Sequence, residues 1–546
     1  MCQDNKRKGI DLSDKQAHEQ DHKTWSRRNF LQTIGLAGAT SFSLNMLPIT
    51  GLYGFPLAGA AAGSGMENRK LVMIRLKGGN DGLNTIVPMY AYDTYRAARP
   101  SLSHAEADLI QLNDDFSIPT VMGDLQSLWN QDKMRVINSV GYPNHNLSHF
   151  TSADIMASGN NNVNENGDGW LARYYTQLNP DYFENPPDTP PAIKIGGPTS
   201  ILFNDSNKVD ISANFSTADK LAELAETGLI YNNDVAPDDC YYGEQVIFLR
   251  TIANAATRYS AAIFDAYTNG TNDMAYTSSL GEQLQLVARL IKGGLNTQLY
   301  LVTLDGFDTH VGQNGGGNHL GLLENLSQAV SQFYQDLAIG DHDGDVLAMT
   351  YSEFGRRVEE NGVSGTDHGT AMPIMLFGPA LEGSDVHGKN PDLTDLDISG
   401  NLQFGTDFRA IYATILENWF CIEADKVDEI LGESYDRLTD IGIACSSTPT
   451  STFRPLEPGH IPSQLMPLGG GQYELTFDMA TGADVQVDLV TISGQHILSL
   501  SNRYFHQGSH VLSFSLSHLS IDWVPMVYTI RSRRKVVSKQ FMASSR

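Results

Sequence analysis

The sequence predicts an α/β layered fold with a mostly parallel central sheet, plus a small C-terminal all-β sandwich. Three observations lead there. Short, mostly apolar runs recur at 71–76, 135–140, 299–304, 346–351 and 373–377, each of strand length and with no polar face. Helical patterns lie between some of them. Beyond a stretch rich in Ser, Thr, Pro and Gly, the periodicity changes to apolar–polar alternation.

Runs that are apolar on both faces belong to a sheet covered on both sides, which is the usual state of parallel strands. The covering helices are visible in residues 319–337, where Leu320, Leu323, Leu326, Val330, Phe333 and Leu337 fall at three- and four-residue steps. Residues 283–291 and 408–420 follow the same rhythm. Residues 158–169 are rich in Asn and Gly and read as a long loop, and 180–191 as a Pro-rich connector. Residues 446–471 read as a linker. After it, alternating segments at 473–477, 485–490, 496–500, 510–514 and 526–530 are divided by turns containing Gly482, Gly494 and Gly508, as in a small β module. The expected units are a targeting segment at 1–62, a core at 66–445, the linker, and the β module at 472–546.

The targeting segment rests on an ordered series of features. A polar lead is followed by Ser26-Arg27-Arg28-Asn29-Phe30-Leu31, a Gly/Ala-rich apolar run, and small residues at Ala58-Gly59-Ala60-Ala61-Ala62. That order matches a twin-arginine export signal with a peptidase site. Pro48, Gly51, Gly54 and Pro56 argue against a stable buried helix there. The twin-arginine translocase is the expected partner, and the periplasm the first destination. No later run is long and apolar enough to serve as a transmembrane anchor.

The 546 residues carry a formal net charge of −26. Such acidity argues against nucleic acid as a partner, because phosphate backbones need Lys and Arg to neutralise them. Of the four cysteines, Cys2 leaves with the signal, and Cys240, Cys421 and Cys445 lack the CxxC spacing of a zinc–thiolate site. A Cys421–Cys445 disulfide is possible in an oxidising compartment.

The polar clusters stand at the carboxyl ends of the apolar runs, where open α/β sheets bind ligands. Gly78-Gly79-Asn80-Asp81-Gly82 follows the first run and Tyr142-Pro143-Asn144-His145-Asn146-Leu147-Ser148-His149 the second. Asp305-Gly306-Phe307-Asp308-Thr309-His310 and Ser352-Glu353-Phe354-Gly355-Arg356-Arg357 follow later ones, with Gly365-Thr366-Asp367-His368-Gly369 just before 373–377. Carboxylates mixed with imidazoles suit divalent metals such as Zn, Mn, Mg or Ca. Two such ions could activate a water or hydroxyl nucleophile and stabilise the leaving oxygen of a phosphate or sulfate ester. Each cluster also has a plainer explanation: Asp81 as a turn residue, Asp308 as an Asx turn, Ser148 as a helix N-cap, and Glu353 with Arg356 and Arg357 as a solvated ion-pair group.

Taken in order, Leu76-Lys77-Gly78-Gly79-Asn80-Asp81-Gly82-Leu83-Asn84-Thr85, Ser148-His149-Phe150, Asp308-Thr309-His310, Tyr351-Ser352-Glu353-Phe354-Gly355-Arg356-Arg357 and Gly365-Thr366-Asp367-His368-Gly369 resemble the bacterial family called domain of unknown function 1501. That family is grouped with the alkaline phosphatase/sulfatase superfamily, so the resemblance implies an alkaline-phosphatase-like layered fold for the core. The resemblance implies a metal-dependent hydrolase of small-molecule or polymer esters. It implies metal ligands at Asp81, Asp308, His310, Glu353, Asp367 and His368, with Ser148 and His368 as catalytic groups. Ser148 is offset from the usual nucleophile spacing, which leaves Thr151 and Ser152 as candidates. Phe354 stands where the superfamily has a histidine, which puts one metal site in doubt and supports a rival expectation, a non-catalytic envelope protein on a degenerate fold. The C-terminal module resembles a type nine secretion sorting domain of the Bacteroidota, through Val487-Asp488-Leu489-Val490-Thr491-Ile492-Ser493-Gly494-Gln495, Met526-Val527-Tyr528-Thr529-Ile530 and residues 535–541. It implies the type nine secretion machinery as partner and the cell surface or medium as destination.

Overall fold

The apolar runs pair into one nine-stranded sheet. The computed structural model of the chain describes residues 68–160, 167–182, 186–196, 200–215, 241–316, 318–381, 383–439, 441–445, 463–469, 472–479, 483–491, 496–505, 508–517, 524–532 and 535–543. Residues 1–62, expected to direct export, Cys240, most of the Asn/Gly-rich loop and most of the stretch 446–471 expected as linker lie outside the described residues. The chain divides into two compact units at Cys445/Ser446.

The sheet strands are β1 (Lys70–Lys77), β2 (Met134–Gly141), β3 (Ala192–Ile195), β4 (Ser212–Phe215), β5 (Leu299–Asp305), β6 (Val346–Tyr351), β7 (Met372–Phe377) and β8 (Asp385–His387). Their spatial order is β8-β2-β7-β6-β1-β5-β3-β4, with Thr406–Asp407 added beside β2. β1 lies at the centre, parallel to β5 and β6. β7 alone runs antiparallel to its neighbours. That reversal matters for the site: the connection from β6 to β7 starts and finishes at one edge of the sheet, so residues 352–371 stay where the other strands end.

Alternate residues of β1 enter opposite cores, as the pleat requires. Val72, Ile74 and Leu76 pack beneath helices α2 (Ser279–Lys292) and α3 (His319–Ala338), while Leu71 and Met73 pack against α1 (His149–Ser158), residues 170–178 and α4 (Phe408–Thr414). Each such fully buried aliphatic side chain contributes about 1.5–3 kcal/mol. α3 buries Leu323, Leu326, Val330, Phe333 and Leu337, the stripe its spacing predicts. Ser278 caps α2 by accepting from Gly281 N–H at 3.1 Å. The helix expected over 408–420 departs from regularity. After Thr414 it widens into a π turn at Ile415–Trp419, and Cys421 just beyond it is disulfide-bonded to Cys445 with Cα atoms 5.2 Å apart.

The C-terminal unit has two antiparallel sheets. One joins Ser463–Gly469, Gln472–Met479 and Gly508–Ser515; the other joins Ala483–Thr491, His496–Phe505, Val524–Ser532 and Lys535–Ala543. Tyr473, Leu475, Phe477 and Phe514 of the first share one core with Val485, Val487, Leu489 and Tyr528 of the second, which makes the unit a sandwich. Ser463–Gly469 is a strand where linker was expected. Ser463, Pro467 and Gly469 lend it a loop composition, but its backbone pairs along Gln472–Met479. No helix among the described residues is long and apolar enough to cross a membrane.

Candidate metal centre

Four loops at the carboxyl edge of the core sheet build the site. They follow β1, β2 and β5 and link β6 to β7. Gly78 lets the first and third loops touch. Its φ is +124°, and a Cβ there would stand 2.3 Å from Asp308 N, so no other residue fits. Phe307 N–H donates to the Lys77 carbonyl at 3.0 Å, which fixes Asp308 one residue past the contact.

Arg356 then ties the loops together. Far from the solvated pair considered for it, it is buried, 1 % exposed. Its guanidinium donates to the carbonyls of Gly79 (2.7 Å), Thr366 (2.8 Å), Phe307 (3.0 Å) and Gly78, and to Asp308 Oδ1 at 2.8 Å. One side chain thereby positions three loops and one carboxylate.

Around Asp308 stand three histidines. His310 Nε2 lies 3.2 Å and His368 Nε2 3.4 Å from Oδ1, and His149 Nε2 3.4 Å from Oδ2. Ligand atoms of His149, Asp308 and His368 all fall within 4.8 Å of one another. His310 Nε2 and His368 Nε2 face each other at 2.9 Å. The outer nitrogens settle the tautomers. His368 Nδ1 is 2.8 Å from the Leu147 carbonyl and His310 Nδ1 is 3.0 Å from Asp367 Oδ1. Both partners accept only, so each Nδ1 carries a proton and each Nε2 is the nitrogen turned inward. Two imidazole nitrogens and a carboxylate oxygen then converge, and the donor on that oxygen is Arg356 Nη2 from behind. His149 Nε2 is buried, aimed at the same carboxylate, and without a hydrogen-bond partner. Such a donor set fits a divalent cation with imidazole and carboxylate ligands, and the bonds from Leu147 and Asp367 are the outer contacts that orient ligand histidines.

The electrostatics agree. Burial opposes the charged form of Asp308, but the Arg356 hydrogen bond and charge outweigh it and hold the carboxyl below its ordinary range. Burial lowers the pKa of His368 against the pull of the Leu147 carbonyl. The hydrogen bond from His310 lowers the pKa of Asp367.

Of the residues expected at the site, the structure brings together Asp308, His310 and His368. Asp367 stands behind His310. Asp81 and Glu353 are elsewhere, and their oxygens are filled. Asp81 is wholly buried and accepts from Arg99 Nη1 at 2.8 and 2.7 Å, from Gln313 Nε2 at 2.5 Å and from Asn84 N–H at 3.4 Å as cap of a short helix. Glu353 accepts from Arg75 Nη2 at 2.6 Å and from the N–H groups of Gly78 and Gly79 at 2.9 and 3.1 Å. Ser148 is exposed at the N-cap of α1, its hydroxyl making no cap bond, between Leu147 and His149, which both belong to the site. Ser152 is buried and bonded to Tyr142 Oη at 3.1 Å and to the Asn146 carbonyl. Thr151 is half-buried on α1. Sequence reasoning passed over His149, although it sits in the Ser148-His149-Phe150 motif. The first turn of α1 carries its ring inward while Phe150 points out. Phe354 packs its ring on His149 and His368, centroids 4.9 and 4.4 Å away.

Beside the cluster opens a cleft of about 560 Å³ lined in part by Arg75, Lys77, His149, Phe150 and Asp308.

A family model described as Protein of unknown function (DUF1501) matches residues 129–431. The chain belongs to this family. The match covers the whole cluster, His149, Asp308, His310 and His368, and begins after β1 and its Gly-Gly turn. No curated protein matches the chain. Among solved structures it resembles the lipoteichoic acid synthase LtaP from Listeria monocytogenes, with TM-score 0.32 and 10 % identity over 82 % of this chain and 87 % of that one. It also resembles the alkaline phosphatase from the Antarctic bacterium TAB5, with TM-score 0.24 and 9 % identity over 58 % and 95 %. A third is the phosphonate monoester hydrolase SpPMH from Silicibacter pomeroyi, with TM-score 0.28 and 10 % identity over 87 % and 89 %. Likeness at this level says nothing about chemistry.

Proposed function

We propose that this chain is an exported, metal-dependent hydrolase of phosphate or sulfate esters, built around one cation rather than two. The observation that carries this is the convergence of Asp308 Oδ1 with the inward Nε2 atoms of His310 and His368. His149, Asp308, His310 and His368 would hold the ion, which supplies Lewis-acid polarisation of an ester oxygen and a lowered water pKa. The rest of the work falls to the chain. Arg356 keeps Asp308 ionised, while Asp367 and the Leu147 carbonyl hold the two rings with Nε2 turned inward. The positive end of α1 lies at Ser148 and favours an anionic group beside it. Ser148 is an exposed hydroxyl next in sequence to a ligand, where Thr309 between two others is buried, yet no side-chain bond of Ser148 to a base is seen among the described residues. Water is therefore the simpler nucleophile. A screen of aryl phosphate, phosphodiester and aryl sulfate substrates with added Zn, Mn, Mg or Ca tests the activity. Turnover lost on chelation supports it, and absence of turnover with every ion and ester class contradicts it. Undiminished turnover in Ser148→Ala removes that serine.

A non-catalytic binding role is favoured by one observation, the packing of Phe354 across His149 and His368. Tight metal binding with no turnover would select it.

The export proposal rests on the arginine pair at Arg27-Arg28, and the Cys421–Cys445 disulfide fits an oxidising compartment. The two-sheet C-terminal unit is proposed as a type nine secretion sorting domain. N-terminal sequencing of the secreted product, and its fractionation with and without residues 472–546, test both steps.

A further inference from the structure

The loops that carry the cluster also carry exposed apolar side chains. Among the described residues, Phe150 is 85 % exposed, and Val311, Val363 and Ile398 are exposed as well. Phe150 follows His149 and Val311 follows His310. Gly312 N–H donates to the Val363 carbonyl at 3.0 Å, so the loops bearing Val311 and Val363 run together. Ile398 sits beside Asp397, whose carboxylate is 3.9 Å from His145 Nε2 on the loop leading to His149. Single exposed apolar residues are ordinary. Two on the site loops, a third on the first turn of α1 beside His149, and a fourth on the segment that reaches His145 are a different matter, because grouped apolar exposure marks surfaces that meet another apolar phase.

The adjoining cleft continues the theme. Phe150, Ala153 and Ile201 give it apolar wall, and its volume of about 560 Å³ is in the range of a ligand site. Its charges are Arg75 and Lys77 against Asp154, Asp305, Asp308 and Glu353. A divalent cation at the cluster would bring that balance to neutrality and leave no excess for a polyanion. With a net charge of −26 on the chain, an anionic surface is disfavoured. A small charged head on an apolar body remains.

We propose that the ester taken here is amphiphilic: a phosphate or sulfate head at the Asp308 cluster on a long apolar alcohol, met at a zwitterionic lipid surface into which Phe150, Val311, Val363 and Ile398 insert. In the reaction a water oxygen bonds to phosphorus or sulfur, the bond to the ester oxygen breaks, and the water proton ends on the leaving alcohol. The ester rests on the hydrolase reading; the surface rests on the rim alone.

The test uses the full chain and one variant combining Phe150→Ser, Val311→Ser, Val363→Ser and Ile398→Ser. All four positions are exposed, so the fold does not depend on them. Cosedimentation with phosphatidylcholine vesicles is read first, then turnover of dodecyl against methyl esters with the same head. The expected result is vesicle binding that weakens roughly tenfold or more in the variant, and a dodecyl preference that shrinks with it. Failure of the natural chain to sediment overturns the proposal. So does equal sedimentation of the variant, or self-association that the serines disperse without any vesicle binding. Vesicle binding with no turnover would sink the hydrolase reading and spare the surface. Turnover of methyl and dodecyl esters alike, without vesicle binding, would do the reverse.

Discussion

Two groups of carboxylates at the same edge of the sheet have opposite fates. Asp81 and Glu353 lie under the loops, and their oxygens are filled by Arg99, Gln313, Arg75 and the Gly78 and Gly79 N–H groups. Asp308 lies at the surface of the same loops, its side chain 49 % exposed, with one guanidinium on Oδ1 and three histidine nitrogens around it. The buried pair is structural because donors of the chain occupy both oxygens of each carboxylate. The outer one is open because, apart from Arg356 on Oδ1, the groups facing it are imidazole nitrogens that can serve as ligands. The residue type does not decide which carboxylate is free to take a cation. The balance of donors and ligand atoms around it does.

The largest effect expected from that contrast is on stability. Arg99→Met leaves Asp81 buried without its cation, and breaking a buried pair in this way costs about 3–5 kcal/mol. Urea unfolding of the core should show that loss. A change under about 1 kcal/mol would mean that Asp81 is not held as described.

Next comes pH. His319 is wholly buried beside Asn80, and burial depresses its pKa from 6.5 to about 4. The unfolded chain takes up the proton first on acidification, so stability falls as pH drops from 6.5 towards 4. By linkage the loss is about 3 kcal/mol. In His319→Gln, urea midpoints should vary less over that window. An unchanged slope would place the titration elsewhere.

The smallest effect is the most selective. Asp367→Asn still accepts a hydrogen bond but carries no charge to fix the His310 tautomer. Metal affinity should fall about 10- to 100-fold, as for other outer-contact changes. Thermal stability of the metal-free chain should hold, because Asp367 is half exposed.

Much of the fold was legible because apolar runs and helical stripes report burial directly. The runs at 71–76, 299–304 and 346–351 became β1, β5 and β6. Strand direction was not legible. A run apolar on both faces is the same read either way, so the reversal of β7 had to come from the structure. The π turn at Ile415–Trp419 leaves no mark in a pattern of period near four. At the site, Asp308, His310 and His368 were found because they sit in short motifs after strands. Asp81 and Glu353 sit in equally good motifs. Their saturation depends on Arg99, Gln313 and Arg75, residues 18, 232 and 278 positions away in sequence. His149 was hidden by its neighbour Ser148, since only the phase of α1 tells which of the two turns inward.

The central claim is that Asp308 and the three histidines form one cation site while Asp81 and Glu353 form none. Metal content and calorimetric titration of the purified chain, beside Asp308→Asn, test it directly. The account predicts about one equivalent of divalent metal in the natural chain. It predicts at least a hundredfold loss of affinity in Asp308→Asn, in a chain that urea unfolding shows to be still folded. A natural chain that binds no metal, or an Asp308→Asn protein that binds it as tightly, would contradict it.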